Sequence, residues 1–276
     1  MKPKLGLIVS LRSDPREEIE KVRNLGLQTC QVTCWDMSLY TREVAEKLKQ
    51  AAEENGIEIT TLWTGFSGKP VWNFTEGPLT IGLVPPDKRE TRLKDLRKAS
   101  DFAEWIGVES LTTHVGFIPE NPNDPIYVSL IDVLKGVAEF LEDRGQSLWF
   151  ETGQETPVTL LRTFEDVGAE NFGVNFDPAN LLMYGKANPV DALDIIGEFV
   201  RGVHAKDGEY PKSGRQLGEE KPLGEGRVNF PALISKLKEL NYSGSLTIER
   251  EISGPQQIID IKRGKKYLEE LIQTYY

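Results

Sequence analysis

Four ionisable side chains in the second half of the chain stand where a strand-like run gives way to a loop. Glu151 closes the run Ser-Leu-Trp-Phe-Glu, and Asp177 closes Phe-Gly-Val-Asn-Phe-Asp. His204 and Glu249 close Val-Arg-Gly-Val-His and Ser-Leu-Thr-Ile-Glu in the same way. A charged group near a core is unfavourable unless it is paired or binds a metal. If the four strand ends meet at one rim, these side chains can converge on a single cation.

The residue types of this set predict one divalent metal ion as the cofactor. Three carboxylates and one imidazole suit Mn²⁺, which we expect first, and also Mg²⁺, Co²⁺ or Zn²⁺. A structural zinc site usually brings thiolates, and none stand at these positions. Four protein ligands on an octahedral ion would leave two positions open, enough for a chelating hydroxy-ketone.

The elements that must position these residues follow a strand-then-helix rhythm along the whole chain. Alternating strands and helices predict a parallel sheet, and 276 residues suit one (β/α)₈ barrel, typically about 250 residues long. We therefore expect a single-domain α/β TIM barrel over residues 1–276. The predicted strands are 4–11, 29–35, 58–66, 110–116, 147–153, 173–178, 201–206 and 245–251. The predicted helices are 16–25, 41–55, 89–106, 126–144, 159–167, 189–199, 231–240 and 258–275.

Two long segments interrupt the rhythm. Residues 67–88 contain glycine, proline and two aromatic residues, and residues 208–228 contain five glycines and two prolines. Both follow a predicted strand, so both should lie on the face where barrel enzymes carry their active sites. Long loops within compact domains are usually functional or disordered. We interpret both segments as lids over a pocket.

Charge and composition limit the classes of partner. A net charge of −10 argues against a nucleic-acid surface, which needs a positive footprint. No apolar run approaches the ~20 residues of a membrane span. Cys30 and Cys34 lie four residues apart in a predicted strand, too far for a disulfide, so we expect free buried thiols and a cytoplasmic protein. Homo-oligomerisation is possible and stays open.

Several longer strings of the second half resemble the xylose isomerase-like TIM barrel superfamily, the sugar phosphate isomerase/epimerase group. The strings are Phe-Glu-Thr at 150–152, Asn-Phe-Asp-Pro-Ala-Asn at 175–180, Val-His-Ala-Lys-Asp-Gly at 203–208, Leu-Gly-Glu-Gly-Arg-Val-Asn-Phe at 223–230 and Tyr-Ser-Gly-Ser-Leu-Thr-Ile-Glu at 242–249. The resemblance implies that Glu151, Asp177, His204 and Glu249 bind the metal. It also implies a small-molecule substrate, a sugar or sugar phosphate, and no nucleic acid or membrane partner.

The resemblance further assigns the catalytic steps. In ketose 3-epimerases of this group, the residues matching Glu151 and Glu249 also transfer protons on opposite faces of the keto sugar. The metal ion polarises the carbonyl and stabilises the enediolate formed when the neighbouring C–H is lost. One carboxylate abstracts the proton, and the other can return one to the opposite face.

Two positions depart from the epimerase pattern and direct attention to other substrate contacts. A histidine and an arginine that hold the sugar in those enzymes are replaced here by Asn180 and Tyr210. Asn180 can still bond a hydroxyl, and Arg215 could reach in from the second loop. The His-Ala-Lys-Asp string resembles members acting on inososes, including dehydratases, so Lys206 could protonate a leaving hydroxyl or neutralise the glutamates.

One more histidine and several aromatic residues are candidates for substrate contact. His114 ends a predicted strand and could contact the sugar near the metal, or serve a structural role. Trp63 could stack on a sugar face, as could Phe66, Trp72 and Phe117, although aromatic residues at barrel mouths also pack without ligands.

Three alternatives to an isomerase or epimerase stay open at this point. An inosose dehydratase or a 3-keto-glycoside lyase would use the same metal site and expel a β-oxygen after the same proton abstraction. A non-catalytic sugar-binding barrel is more remote, since it would not need both glutamates. An abasic-site endonuclease shares the barrel, but its trinuclear metal cluster needs many histidines, and this chain has two.

Overall fold

Eight parallel strands close into a barrel in the computed structural model, which describes residues 2–276. The order around the barrel is β1-β10-β7-β6-β5-β4-β3-β2, and β1 pairs with β10 to close it. The predicted single-domain TIM barrel is therefore confirmed. The barrel strands are β1 (Lys4–Ser10), β2 (Thr29–Cys34), β3 (Glu58–Thr64), β4 (Ser110–Thr113), β5 (Ser147–Glu151), β6 (Phe172–Phe176), β7 (Val200–Ala205) and β10 (Ser245–Ile248).

Helices surround the barrel, and their apolar stripes face the strands. Local signals set their ends: the Thr41 hydroxyl accepts a hydrogen bond from Val44 N–H at one start, and Gly56 adopts a left-handed φ of 65° at the corresponding end. The helices are α1 (Arg16–Asn24), α2 (Arg42–Asn55), α3 (Gly77–Thr80), α4 (Arg89–Ile106), α5 (Pro125–Glu142), α6 (Pro157–Val167), α7 (Pro178–Met183), α8 (Pro189–Ile196), α9 (Phe230–Glu239) and α10 (Pro255–Tyr275).

Several predicted boundaries were wrong by a few residues, and some short elements were not predicted. The predicted strands 110–116, 147–153 and 245–251 end earlier, at Thr113, Glu151 and Ile248. The short helix α7 follows β6 directly because the Asp177 carboxylate accepts a hydrogen bond from Asn180 N–H and caps the helix. Within residues 208–228, β9 (Glu220–Lys221) pairs antiparallel with β8 (Asp207–Gly208).

The core is one continuous apolar cluster between the strands and the helix layer. Cys30 and Cys34 are both buried, and neither takes part in a disulfide. Across residues 2–276, each helix is too short or too polar to cross a bilayer.

Candidate metal centre

The four strand-end residues meet at the carboxyl end of the barrel. Glu151 is the last residue of β5, Asp177 follows β6, His204 lies in β7, and Glu249 follows β10. One potential ligand atom from each side chain lies within 4.8 Å of the others. Glu151, Asp177 and His204 are buried, whereas the Glu249 side chain keeps 12% of its surface exposed. The sequence pattern put each residue at a strand end, and the closed barrel brings those ends together.

The atoms that face one another form a set suited to a cation. His204 Nδ1 lies 2.9 Å from Glu249 Oε2, 3.4 Å from Glu151 Oε1 and 3.7 Å from Asp177 Oδ2. His204 Nδ1, Asp177 Oδ2 and Glu249 Oε2 are buried, and none has a hydrogen-bond partner. Buried polar atoms are almost always paired, so three converging unpaired acceptors indicate room for a positive ligand. The geometry fits a divalent ion held by these four residues.

A buried amide pair fixes the orientation of the His204 ring. His204 Nε2 contacts Gln31 Oε1 at 2.8 Å, and Gln31 Nε2 donates to Asn175 Oδ1 at 2.9 Å. Because the Gln31 amino group is occupied by Asn175, its carbonyl must face the ring and accept the Nε2 proton. That arrangement directs Nδ1 at the three carboxylates, where its lone pair becomes available once the proton on Nδ1 is displaced. Such partners behind a histidine ligand set its tautomer and strengthen metal binding.

Glu151 is held in place from several sides. The indole N–H of Trp63 donates to Oε2, and the Asn180 amide donates to Oε1 at 3.2 Å. His114 Nε2 lies 3.5 Å from Oε1. Burial raises the pKa of Glu151, but the neighbouring imidazoles of His204 and His114 outweigh burial and bring it to about 2. The carboxylate is therefore ionised and rigidly oriented, as a ligand or a base requires.

The two buried cationic groups of the site respond to the carboxylates around them. Burial alone would lower the pKa of His204, but Glu151 and Glu249 hold it well above its ordinary value. The pKa of Lys206 is raised for the same reason, with Glu249 and Glu251 outweighing burial. A metal ion would replace the proton on His204 and take over its role of neutralising the carboxylates.

Lys206 lies directly beside the metal centre. Its Nζ donates to Glu251 Oε1 at 2.7 Å and to Asn180 Oδ1 at 3.3 Å. The same Nζ lies 3.5 Å from Glu249 Oε2 and 3.6 Å from Asp177 Oδ2. The side chain is almost completely buried, and its ammonium group offsets the charge of these carboxylates. Its expected contact with substrate stays a prediction.

A cleft of about 930 Å³ opens above the centre. Glu151 and Glu249 lie on its floor, and His114, Trp63 and Asn180 line it. Arg215 is exposed in the second loop and is not among the residues lining the cleft. The structure thus gathers four of the five predicted substrate residues at or beside the centre and leaves Arg215 apart, so the proposed reach of Arg215 has no contact to support it.

Both long loops border the cleft. Gly68, Lys69, Pro70 and Trp72 of the first loop line it, and Leu217 comes from the second loop. The second loop is anchored by Asp207, whose carboxylate accepts hydrogen bonds from the backbone N–H groups of four loop residues. Those residues are Gly208, Gly224, Gly226 and Val228.

Sequence reasoning missed three residues that shape this site. Gln31 lies in the middle of β2, where an amide at a buried position among apolar neighbours is the available signal. Asp207 follows Lys206 directly, and its role depends on loop contacts 17 to 21 residues away. Trp35 lines the cleft and packs on Trp63 with ring centroids 5.2 Å apart.

The comparisons with known proteins agree with this geometry. The xylose isomerase-like TIM barrel family matches residues 19–272. The chain belongs to this family. A solved structure of a xylose isomerase domain protein from Planctomyces limnophilus is 34% identical in sequence and superposes with a TM-score of 0.94. The match covers 100% of this chain and 99% of that one.

Two curated proteins match parts of the chain. An uncharacterised protein of Methanocaldococcus jannaschii is 29% identical over 67% of this chain. A putative L-ribulose-5-phosphate 3-epimerase of Escherichia coli is 30% identical over 37% of this chain. The matches span 64% and 36% of those proteins, so the chain covers less than two thirds of either relative.

More distant solved structures share the fold. A D-tagatose 3-epimerase-like protein is 21% identical with a TM-score of 0.77, and 98% of each chain is covered. A probable 3-DHS dehydratase from Bacillus anthracis is 16% identical with a TM-score of 0.69, over 96% of this chain and 99% of its own. At these identities the similarity shows only that the fold is shared. Proteins named as an epimerase-like protein and as a probable dehydratase both have this fold, so the fold does not identify the reaction.

Proposed function

We propose that the protein is a divalent-metal-dependent isomerase or epimerase of a keto sugar or sugar phosphate. The observation that carries the proposal is the convergence of Glu151, Asp177, His204 and Glu249 within 4.8 Å on the floor of a cleft. The epimerase names of the E. coli relative and of the tagatose epimerase-like structure support the reaction class. Manganese is the ion we expect first, because three oxygen donors accompany one nitrogen.

The two glutamates have the placement that proton transfer needs. A bound divalent ion would polarise the sugar carbonyl and make the neighbouring C–H more acidic. Glu151 is fixed by Trp63 and Asn180, so its carboxylate is oriented before a sugar arrives. Glu249 is more exposed and reaches the cleft from β10. One carboxylate would take the proton from carbon, and the other, once protonated, would return one to the opposite face.

A lyase is the second candidate, and one observation favours it. After the same proton abstraction, a β-hydroxyl or glycosidic oxygen would leave with a proton from a general acid that is not a metal ligand. His114 lines the cleft near Glu151, and its buried Nδ1 has no hydrogen-bond partner. Lys206 is less suited to this role, because it is covered by Asn180 and Glu251.

Metal analysis is the first test of the proposed function. Elemental analysis of the purified protein should find about one equivalent of Mn, Co, Zn or Mg, and Asp177→Asn should lose it. Asparagine can still cap α7, so the variant removes a charged ligand while keeping the local fold. Asp194→Asn, at an exposed residue of α8 paired with Lys236, is the matched control. A protein that binds no metal after reconstitution would refute the mechanism and leave a sugar-binding barrel.

Deuterium incorporation then separates the reaction classes. With candidate ketoses in ²H₂O, an epimerase incorporates one deuterium at the carbon next to the carbonyl, and its product otherwise has the mass of the substrate. A lyase product is instead lighter than the substrate, because water or a sugar has been eliminated. Glu249→Gln should abolish either reaction, whereas a non-catalytic binder would keep its ligand.

A further inference from the structure

The cleft extends well beyond the four metal-ligating residues. Its volume of about 930 Å³ lies near the upper end of the range for pockets that enclose drug-sized ligands, about 300–1,000 Å³. One end contains the metal centre and His114. The other end passes over the carboxyl end of β1 and reaches the space between α1 and α10. The outer lining residues are Arg12, Glu18, Lys21, Ser253 and Gln257.

This outer end adjoins a groove on the barrel rim. A second cavity of about 870 Å³ runs between α1 and the start of α10. Four residues border both spaces: Arg12, Glu18, Lys21 and Gln257. The groove therefore adjoins the outer end of the cleft across these four side chains.

The charges of the outer end suit a neutral hydroxylated group better than a phosphate. Arg12 Nε lies 3.8 Å from Glu18 Oε1, and Lys21 Nζ lies 4.0 Å from Glu18 Oε2. Lys21 also donates to Gln257 Oε1 at 3.3 Å. Glu18 thus lies between both cations, and across the whole cleft four basic lining residues are matched by four glutamates, so the lining has no net positive charge to favour a phosphate. The ring of donors and acceptors matches the alternating hydroxyls of a sugar.

The cleft also carries an apolar platform. The side chains of Trp35 and Trp72 are 43% and 41% exposed, although large apolar side chains are usually buried. The two rings meet edge-on with their centroids 6.0 Å apart, and the ring centroids of Trp72 and His114 are 5.3 Å apart. An exposed apolar patch bordered by polar groups marks a binding site. The C–H face of a sugar ring or an aromatic aglycone would cover it.

We infer that the cleft binds a neutral glycoside, with the reacting sugar at the metal centre and a second sugar ring or an aglycone in the outer cleft. The inference rests on the proposed function, because it names the substrate class of the same site. A free monosaccharide would leave the outer end and its ring of polar groups without a ligand.

Binding calorimetry on the metal-loaded protein tests the inference. The probes are D-fructose, the keto disaccharides turanose, lactulose, maltulose and isomaltulose, and fructose 6-phosphate. At least one disaccharide should bind about tenfold or more tightly than D-fructose, and the phosphate should add no affinity. Ser253→Trp should remove this advantage by filling the outer end and leave D-fructose binding unchanged.

Ser243→Trp is the matched control. Ser243 and Ser253 are exposed residues on either side of β10, but Ser243 precedes the strand and lies at the opposite end of the barrel. The control should keep the full advantage of the longer ligands. If no keto disaccharide binds more tightly than D-fructose, or if fructose 6-phosphate binds best, the inference is wrong.

The binding measurements and the deuterium exchange test the outer site and the isomerase proposal separately. Deuterium incorporation into free ketoses without any advantage for glycosides would overturn the outer site and leave the isomerase proposal standing. Tight glycoside binding that Ser253→Trp weakens, in a protein that exchanges no proton, would keep the outer site and overturn the isomerase proposal.

Discussion

At the scale of single residues, the candidate metal centre is backed by Gln31, a side chain that is not one of the four proposed ligands. Gln31 is completely buried, accepts the Nε2 proton of His204 and donates to Asn175. It therefore acts as a positioning residue that keeps Nδ1 free for the metal. Carboxylates or amides behind histidine ligands typically contribute about 10–100-fold to metal affinity.

We predict that Gln31→Leu weakens Mn²⁺ binding by about 10–100-fold, measured by competition with a chelator. Gln31→Glu keeps an acceptor for the imidazole, and the unpaired Asn175 amino group can turn to meet it, so this variant should retain affinity. Gln50→Leu, on the exposed face of α2, is the control. Equal affinities in the two leucine variants would show that Gln31 does not position the ligand.

A second residue-scale prediction concerns Glu155, just beyond β5. Its side chain is buried, Oε1 has no hydrogen-bond partner, and burial raises the pKa from 4.5 to about 8. Between these pH values the folded protein retains a proton that the unfolded chain releases, so stability should fall as pH rises. Glu155→Gln removes this dependence and should be more stable at pH 8 by roughly 2–4 kcal/mol.

Urea unfolding at pH 5 and pH 8 measures this difference. Glu46→Gln, at an exposed position of α2, provides the background pH dependence of the rest of the chain. Parallel pH profiles for the native protein and Glu155→Gln would show that the Glu155 carboxyl is not held protonated.

At the scale of elements, the second loop depends on Asp207 for its shape. The carboxylate accepts four backbone hydrogen bonds and so joins the start of the loop to its end near Val228. Asp207→Ala would leave several buried N–H groups without a partner, at about 1–3 kcal/mol for each fully unsatisfied group. We predict faster amide hydrogen exchange over residues 208–228 in this variant, with the barrel strands unchanged.

Asp132→Ala, at an exposed position of α5, is the control for that exchange experiment. If the loop acts as a lid, Asp207→Ala should also weaken sugar binding while one metal equivalent is retained. Unchanged exchange over residues 208–228 would mean that the hairpin of β8 and β9 holds the loop without Asp207.

The sequence predicted the repeating elements better than the loops, and the reason is physical. Strands and helices follow from periodicities within a few residues, so local patterns were enough to predict the barrel and the convergence of the four strand-end side chains. The Asp207 contacts and the α1–α10 groove depend on residues far apart in sequence, whose meeting no local pattern encodes. Arg215 shows the same limit: the sequence indicated that it lies in the second loop, but not that its side chain is exposed and does not line the cleft.

At the scale of the whole molecule, the proposed metal centre would link four strands of the closed barrel. β5, β6, β7 and β10 each supply one proposed ligand or are followed directly by one, and they are consecutive neighbours around the sheet. An unfolded chain does not hold these donors together, so a metal ion would bind the folded state selectively. Such a ligand at about 100 times its dissociation constant stabilises the folded state by about 2.7 kcal/mol.

We therefore predict that saturating Mn²⁺ raises the Tm of the metal-free protein by roughly 5–10 °C, measured by calorimetry. Asp177→Asn should lose most of this increase, because an amide oxygen replaces a charged ligand while the cap of α7 remains. Its metal-free Tm should not fall, since one of three crowded carboxylates is gone. Asp194→Asn should respond to Mn²⁺ like the native protein. A full Tm increase in Asp177→Asn would show that the stabilising ion binds elsewhere, and the four strand ends would then need another explanation.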